Sequence, residues 1–397
     1  MRETWKVWRL GDPITVNRIV WDQREVENVL DVFQLDWFGP RTYAEMAETF
    51  LGRLHDDRFA QLLNSGSSAL FLGTLALQKM GLWKRGDKIL TPVCTFPSTA
   101  NPIWQAGMIP VFVDVEEGTY NIDAELAFDA LDEHPDIAGA IIPHLLGNIP
   151  NMHDLTTMLG DRPLIEDCCD TLLGEYDGQL VGTFGDAAAF SFYGSHHVTA
   201  AGVGGALVCA DPDMHEIVHS MAFWGRDFAP TGEPYTDFLN RYRYREIGFD
   251  MQMTEIQAAF LVAQLERLHH IVELRHQRFL ELFDALIAYD HLLVLPRQHD
   301  DAEPSWFGFP VLVREDAPFD REEFVRYLLE MKVEIRPLFA GNLLRQPAYR
   351  DSPHLLVGDT TQADRCMERA FFLPSWNMPQ DCMDRLIEIV VGFLDEQ

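Results

Sequence analysis

Residues 88–115 read KILTPVCTFPSTANPIWQAGMIPVFVDV. Two short apolar runs, KILTPV and PVFVDV, flank STANPIWQAG, whose apolar residues recur at helical spacing, and the unit predicts strand, helix, strand. The same alternation extends outward. SSALFLGTLALQKM (67–80) and AELAFDALDE (124–133) predict helices, and AGAIIPHLL (138–146) predicts a strand. PLIEDCC (163–169), AAAFSF (187–192) and GGALVCA (204–210) are further apolar strands, too continuous for a sheet with one wet face. The fold class is therefore α/β, with a mostly parallel sheet flanked by helices on both faces. Ligands of such sheets gather at the carboxyl ends of strands.

At 397 residues the chain is too long for one small core. Thr254 to Tyr289 predicts one or two long amphipathic helices bridging two domains, since apolar residues recur at helical spacing with no proline between them. Beyond them FGFPVLV (307–313), a helix from Arg321 to Met331, VEIRPLF (333–339) and a closing helix from Asp381 to Glu396 predict a smaller α+β domain. The expected division is 1–265, an N-terminal arm with the large domain, and 266–397, the small C-terminal domain. Residues 1–40, aromatic and weakly periodic, suit an arm packed on a neighbour.

The net charge of -31, with lysine only at 6, 79, 84, 88 and 332, disfavours nucleic acid and anionic membrane as partners. A diphosphate ligand would then need local arginines. Six cysteines without CxxC spacing argue against a disulfide scaffold and fit a reducing cytoplasm. An iron–sulfur cluster needs closely grouped thiolates, and none lies between Trp224 and Gln257. No signal-like segment opens the chain, and no run approaches the roughly 18 apolar residues of a membrane helix.

Several residues carry chemistry in their own right. Asn64-Ser65-Gly66-Ser67-Ser68 precedes a helix, so it is either an N-cap or a cradle for a phosphate. Asp167 closes an apolar strand, where a carboxylate serves as a helix cap, a loop ion pair, or a partner for a cationic ligand atom. Gly202-Val203-Gly204-Gly205 precedes a strand and so is not a dinucleotide fingerprint. His144, His153, His269 and His270 lack metal-site grouping, and no metal is assigned.

NSGSSAL, TFPSTANPIWQAGMIPVFVDV, LIEDCCD, TFGDAAAFSFYGSHH and GVGGAL stand in the order and approximate spacing of the sugar aminotransferase and dehydratase family of fold-type I pyridoxal phosphate (PLP) enzymes, which the chain resembles over most of its length. The double histidine and a later GNLLRQP segment (341–347) resemble the nucleotide-sugar 3-dehydratases within it. The resemblance implies a phosphate cradle of Gly66, Ser67, Ser68 and Ser191, Phe96 stacked on the cofactor ring, Asp167 opposite the pyridine nitrogen and Asp170 near the ring hydroxyl. It puts His196 where relatives carry the lysine that tethers the cofactor, and no lysine lies between Lys88 and Lys332. Histidine forms no stable tether but exchanges protons near neutral pH, so His196 is the expected catalytic base. His197 is its fallback or support. Asn342 and Arg345 match a substrate-facing loop, and Arg226 and Arg336 are further anion partners.

The implied reaction is loss of the C3 hydroxyl from a 4-keto-6-deoxy sugar carried on a nucleotide diphosphate. PLP would be converted to pyridoxamine phosphate (PMP) by an amino donor such as glutamate. A homodimer is implied as well. Two positions depart from the family: Val203 replaces a usual glutamate, and Asp250 replaces an asparagine that often reaches the partner's cofactor phosphate, where an anion is repelled. Rival readings are a reductive dehydrase fed by an iron–sulfur partner, and a degenerate PLP-fold protein that binds without turnover.

Overall fold

The computed structural model describes residues 8–9, 11–227 and 232–397. Its main sheet contains β1 (Phe59–Leu63), β2 (Lys88–Pro92), β3 (Ile109–Val113), β4 (Ile137–Pro143) and β5 (Leu164–Asp167). A short hairpin of β6 (Glu175–Tyr176) and β7 (Gln179–Leu180) precedes β8 (Ala187–Ser191) and β9 (Gly205–Cys209). The strand order is β1-β9-β8-β5-β4-β2-β3, closed at the far edge by β14 (Leu355–Leu356). From β8 to β14 every pair is parallel, whereas β9 runs antiparallel to both its neighbours. The carboxyl ends of β2, β4, β5 and β8 therefore share one edge.

Both faces of the sheet are covered, which explains the unbroken apolar runs. Ile89, Ile141, Ile165 and Ala189 pack under Leu70 and Leu77 of α3 (Gly66–Lys79) and Ile103 of α4 (Pro97–Gln105). On the other face Ala140, Ile142, Leu164 and Ala188 meet α2 (Thr42–Leu54), α5 (Ala124–Glu133), α6 (Met152–Leu159) and α9 (Glu255–Leu265). A second sheet, in the order β10 (Leu293–Val294), β12 (Phe309–Val313), β15 (Ala370–Leu373) and β13 (Arg336–Pro337), is antiparallel throughout and has its own core of Phe309, Val311, Phe324, Phe371 and Leu386. The stretch from 254 to 289 forms two helices, α9 and then α10 (Leu268–Leu286). Ile271 of α10 packs in the large core and Phe279, Leu282 and Leu286 in the second, so this one helix joins the two.

Two expectations are corrected. Residues 23–35 are not an arm but α1, a helix on this chain's own α9, with Val32 buried and Asn28 Nδ2 donating to the Ala259 carbonyl at 3.1 Å. Its start was legible in Asp22-x-x-Glu25, a capping box whose two halves are both made. The strand expected over 333–339 shrinks to Arg336–Pro337. Pro337 has no N–H to donate, and the left-handed backbone at Lys332 and Phe339 bends the chain out of the sheet on either side.

Candidate active site

The shared edge of β2, β4, β5 and β8 opens into a cavity of about 1350 Å³. At its base Ser65 caps α3, its Oγ accepting from Ser68 N at 3.1 Å. The N-cap reading of the 64–68 segment holds, and the capped helix points its first turn into the cavity through Ser65, Gly66 and Ser67. Ser68 does not join them: its hydroxyl is spent on Asn64 Oδ1 at 2.6 Å and Ser65 Oγ at 2.9 Å. Gly66 lies so close to the strand beneath that a Cβ there would stand 2.6 Å from Cys169 Sγ. Ser191, at the end of β8, lines the same wall. Phe96 stands at the rim, half exposed and edge-on to Phe339 at 5.7 Å.

Asp167 ends β5 and is buried. Its Oδ2 accepts from Thr99 Oγ1 at 2.7 Å, which in turn receives Thr95 Oγ1 at 2.8 Å, and its Oδ1 accepts from Cys169 N at 3.2 Å. No cationic side chain reaches it among the described residues, so it is not part of a loop ion pair. Asp170 also lines the cavity, accepting from Leu146 N at 3.1 Å. Burial, and then the neighbouring charge of Asp167, pushes its carboxyl up to about 7.

His196 faces the cavity. Its Nδ1 lies 2.5 Å from the Cys169 carbonyl oxygen. A carbonyl only accepts, so Nδ1 carries the hydrogen and Nε2 the lone pair. Burial, despite the Cys169 carbonyl and with the charge of Arg275, lowers its pKa to about 4, and the ring is neutral at physiological pH.

The other expected contacts are not brought to the cavity. His197 turns away, its Nε2 donating to the Ser305 carbonyl at 3.1 Å. Asn342 is buried, capping the turn 343–345 and donating to Asp364 Oδ1 at 2.7 Å. Arg345 grips the same carboxylate through two bonds of 2.9 and 2.6 Å. From this segment the cavity receives Gln346, Pro347 and Tyr349 instead. Arg226 sits over the rings of Trp224 and Tyr242, 4.8 and 5.5 Å from their centroids, and Asp250 is exposed, accepting from Gln252 Nε2 at 3.0 Å. Val203 and Arg336 do line the cavity, the latter paired with Glu334.

Sequence reasoning missed Thr99, Phe307, Tyr349 and Asn17. Thr95-x-x-x-Thr99 at a strand-to-helix junction was a usable signal; the others arrive from distant segments and had none. His144, set aside as ungrouped, proves to be grouped with Glu166 and Cys168 within 4.8 Å, all buried. The donor set does not call for a metal. Glu166 Oε2 already takes Gly182 N and His144 Nε2, and Oε1 takes Phe184 N and Gly185 N. Burial would raise this carboxyl, but the histidine and the amides hold it below its ordinary range.

A mostly parallel sheet with helices on both faces and a cavity at its carboxyl edge is the fold-type I architecture of PLP-dependent transferases. The chain belongs to the DegT/DnrJ/EryC1/StrS aminotransferase family, whose profile matches residues 20–391. Among its relatives, the lipopolysaccharide biosynthesis protein RfbH of Salmonella typhimurium is 36% identical over 88% of this chain and 84% of its own. The dTDP-4-dehydro-2,6-dideoxy-D-glucose 3-dehydratase of Saccharopolyspora spinosa is 31% identical over 88% and 80%. A solved GDP-4-keto-6-deoxymannose-3-dehydratase with a trapped PLP-glutamate geminal diamine superposes with a TM-score of 0.88 at 25% identity, covering 95% of this chain and all of that one.

Proposed function

We propose that this protein is a PLP/PMP-dependent 3-dehydratase that removes the C3 hydroxyl of a nucleotide-linked 4-keto-6-deoxy sugar, with glutamate as amino donor. The observation that carries this reading is His196: a neutral imidazole faces the cavity at the position of the family's lysine, and no lysine lines that cavity among the described residues.

The residues present fit PLP. Gly66 lets the start of α3 lie against Cys169 and Ser191 more closely than a residue with a Cβ could, the first turn of α3 offers amides and a positive helix end to a phosphate, and Asp167 offers a buried carboxyl group with no cationic partner among the described residues. Ser67 and Ser191 extend the cradle, Phe96 covers the ring, and Asp170 lies beyond it. When bound, PLP supplies an electron sink that lets a bond next to the substrate's amino-bearing carbon break. His196 Nε2 is the proton acceptor of the elimination. Once protonated it is a strong donor, because its surroundings disfavour the charged ring, and it returns the proton to the departing hydroxyl. Arg336 serves the nucleotide diphosphate from within this chain.

A homodimer is part of the proposal. Tyr235, Phe238, Leu239, Tyr242 and Ile247 leave large apolar surfaces in water, Ile247 at 89% exposure, and Arg226 and Asp250 lie in or beside the same region. In a dimer this face would bring Arg226 and Asp250 to the partner's cavity. Six unpaired cysteines support a reducing compartment.

The test is His196→Asn assayed with PMP and a panel of 4-keto nucleotide sugars, with products read by mass. Deoxygenation is expected to fall by about 10²–10⁴-fold with cofactor uptake intact. Full activity in the variant, or a brown, cluster-type spectrum in the wild type, would refute the reading.

A further inference from the structure

We propose that Arg275 is a positioning residue for the chemistry of His196: its buried guanidinium, seated on Phe307 without a carboxylate partner, stands behind the histidine pair and opposes a second positive charge there. This rests on the role given to His196 above.

Arg275 lies on α10 and is 2% exposed. Its Nη2 donates to the Phe307 carbonyl at 3.1 Å, and its Cζ stands 5.8 Å from the Phe307 ring centroid. Its Nε is buried without a partner, and no carboxylate pairs with it among the described residues. The same Phe307 ring meets His196 at 5.3 Å and His197 at 6.4 Å. One aromatic ring thus organises a cation and two imidazoles.

Behind the histidines is a second cavity of about 10 Å³, bounded by Arg18, Thr199, Gln264 and Asn377. That volume holds a single water, not an anion, and no acidic side chain borders it among the described residues. Burying an unpaired charge is costly, so its retention here calls for a use.

The groups facing His196 are few. From its own segment come Tyr193 and His197. From the chain after β5 comes the Cys169 carbonyl, with Asp167 and Asp170 beyond it. Arg275 faces it from α10, Phe307 from before β12, and Arg18 from the N-terminal strap. Asp167 is engaged by Thr99 and Cys169 N, while Arg275 lines the small cavity shared with both imidazoles and meets the same Phe307 ring. Burial and then this guanidinium press both histidines below the ordinary imidazole value, while Arg275, lowered by burial to about 9, stays charged at neutral pH.

The experiment is an NMR titration of the histidine ring nitrogens in the purified full chain, alongside the pH profile of deoxygenation. The wild-type His196 midpoint is expected below the ordinary imidazole value; a midpoint at or above that value overturns the proposal. Arg275→Met is expected to raise the midpoint by about one unit and move the acid limb of the rate profile with it, while Arg275→Lys leaves both in place. Equal shifts in the two variants, or none in either, overturn it. If Arg275→Met does not fold, the wild-type midpoint and its retention in Arg275→Lys decide. Because the titration reads the imidazole whatever the reaction, failure of the proposed dehydration is distinguishable from failure of this inference.

Discussion

Replacing Gly66 with alanine inverts an ordinary expectation. Gly66 opens α3 with no left-handed backbone, so by helix propensity alone alanine would stabilise the protein by up to about 1 kcal/mol. The surroundings forbid it. The new Cβ would lie 2.6 Å from Cys169 Sγ, 3.0 Å from Ser191 Cβ and 3.3 Å from the Phe190 carbonyl oxygen, against an ordinary contact of about 3.5–4 Å. Relief requires a shift of about 1 Å in α3 or in the strand ends beneath it, since Ser191 Cβ and the Phe190 carbonyl move only with the backbone and only Cys169 Sγ can turn aside. Overpacking of this kind costs about 1–3 kcal/mol. The strain falls on the proposed phosphate cradle, and it reaches His196 as well, because Cys169 supplies the carbonyl that fixes that ring. We expect Gly66→Ala to lower apoprotein stability in urea by about 1–3 kcal/mol and, at about 1.4 kcal/mol per tenfold, to weaken PLP binding by about tenfold or more in an absorbance titration. A variant as stable as the wild type or more so, with unchanged PLP affinity, would refute the close approach and the cradle together.

Two further perturbations probe the frame around the site. Burial raises Glu48 to about 7, so its stabilising neutral form is present below the unfolded value near 4.5 and is lost as pH rises towards 7. Glu48→Gln is expected to abolish a decline of about 3 kcal/mol across that window, measured by urea unfolding at a series of pH values; identical profiles would contradict it. Glu166→Gln places an amide NH₂ among the donors from residues 182, 184, 185 and 144, and is expected to cost at least about 2 kcal/mol. Unchanged stability would mean that the buried hub is not needed.

What could be read from the chain was what depends on local order. The strand–helix–strand unit at 88–115 formed as its periodicity implied, because a strand buried on both faces has to be apolar at every position. Asp167 was placed by its strand end together with the family resemblance, His196 by that resemblance, and both line the cavity. The helix at 23–35 escaped notice although its capping box was in plain view, because Leu30, Phe33 and Leu35 are exposed on its outer side and blurred the apolar pattern.

Which polar groups face the cavity was decided only in three dimensions. Ser68, His197, Asn342 and Arg345 all lie within segments that border it, yet each side chain is claimed by a nearer partner: Asn64, Ser305 or Asp364. The direction of a side chain is set by the nearest unsatisfied partner, and that partner is often far away in sequence. For the same reason Thr99 reached Asp167, and Arg275 and Phe307 came to stand behind His196, with no trace in the order of residues. That the proposed base is a histidine could be read from the chain; its tautomer, its neutrality and its charged neighbour depend on burial, which exists only once the sheets and α10 have packed.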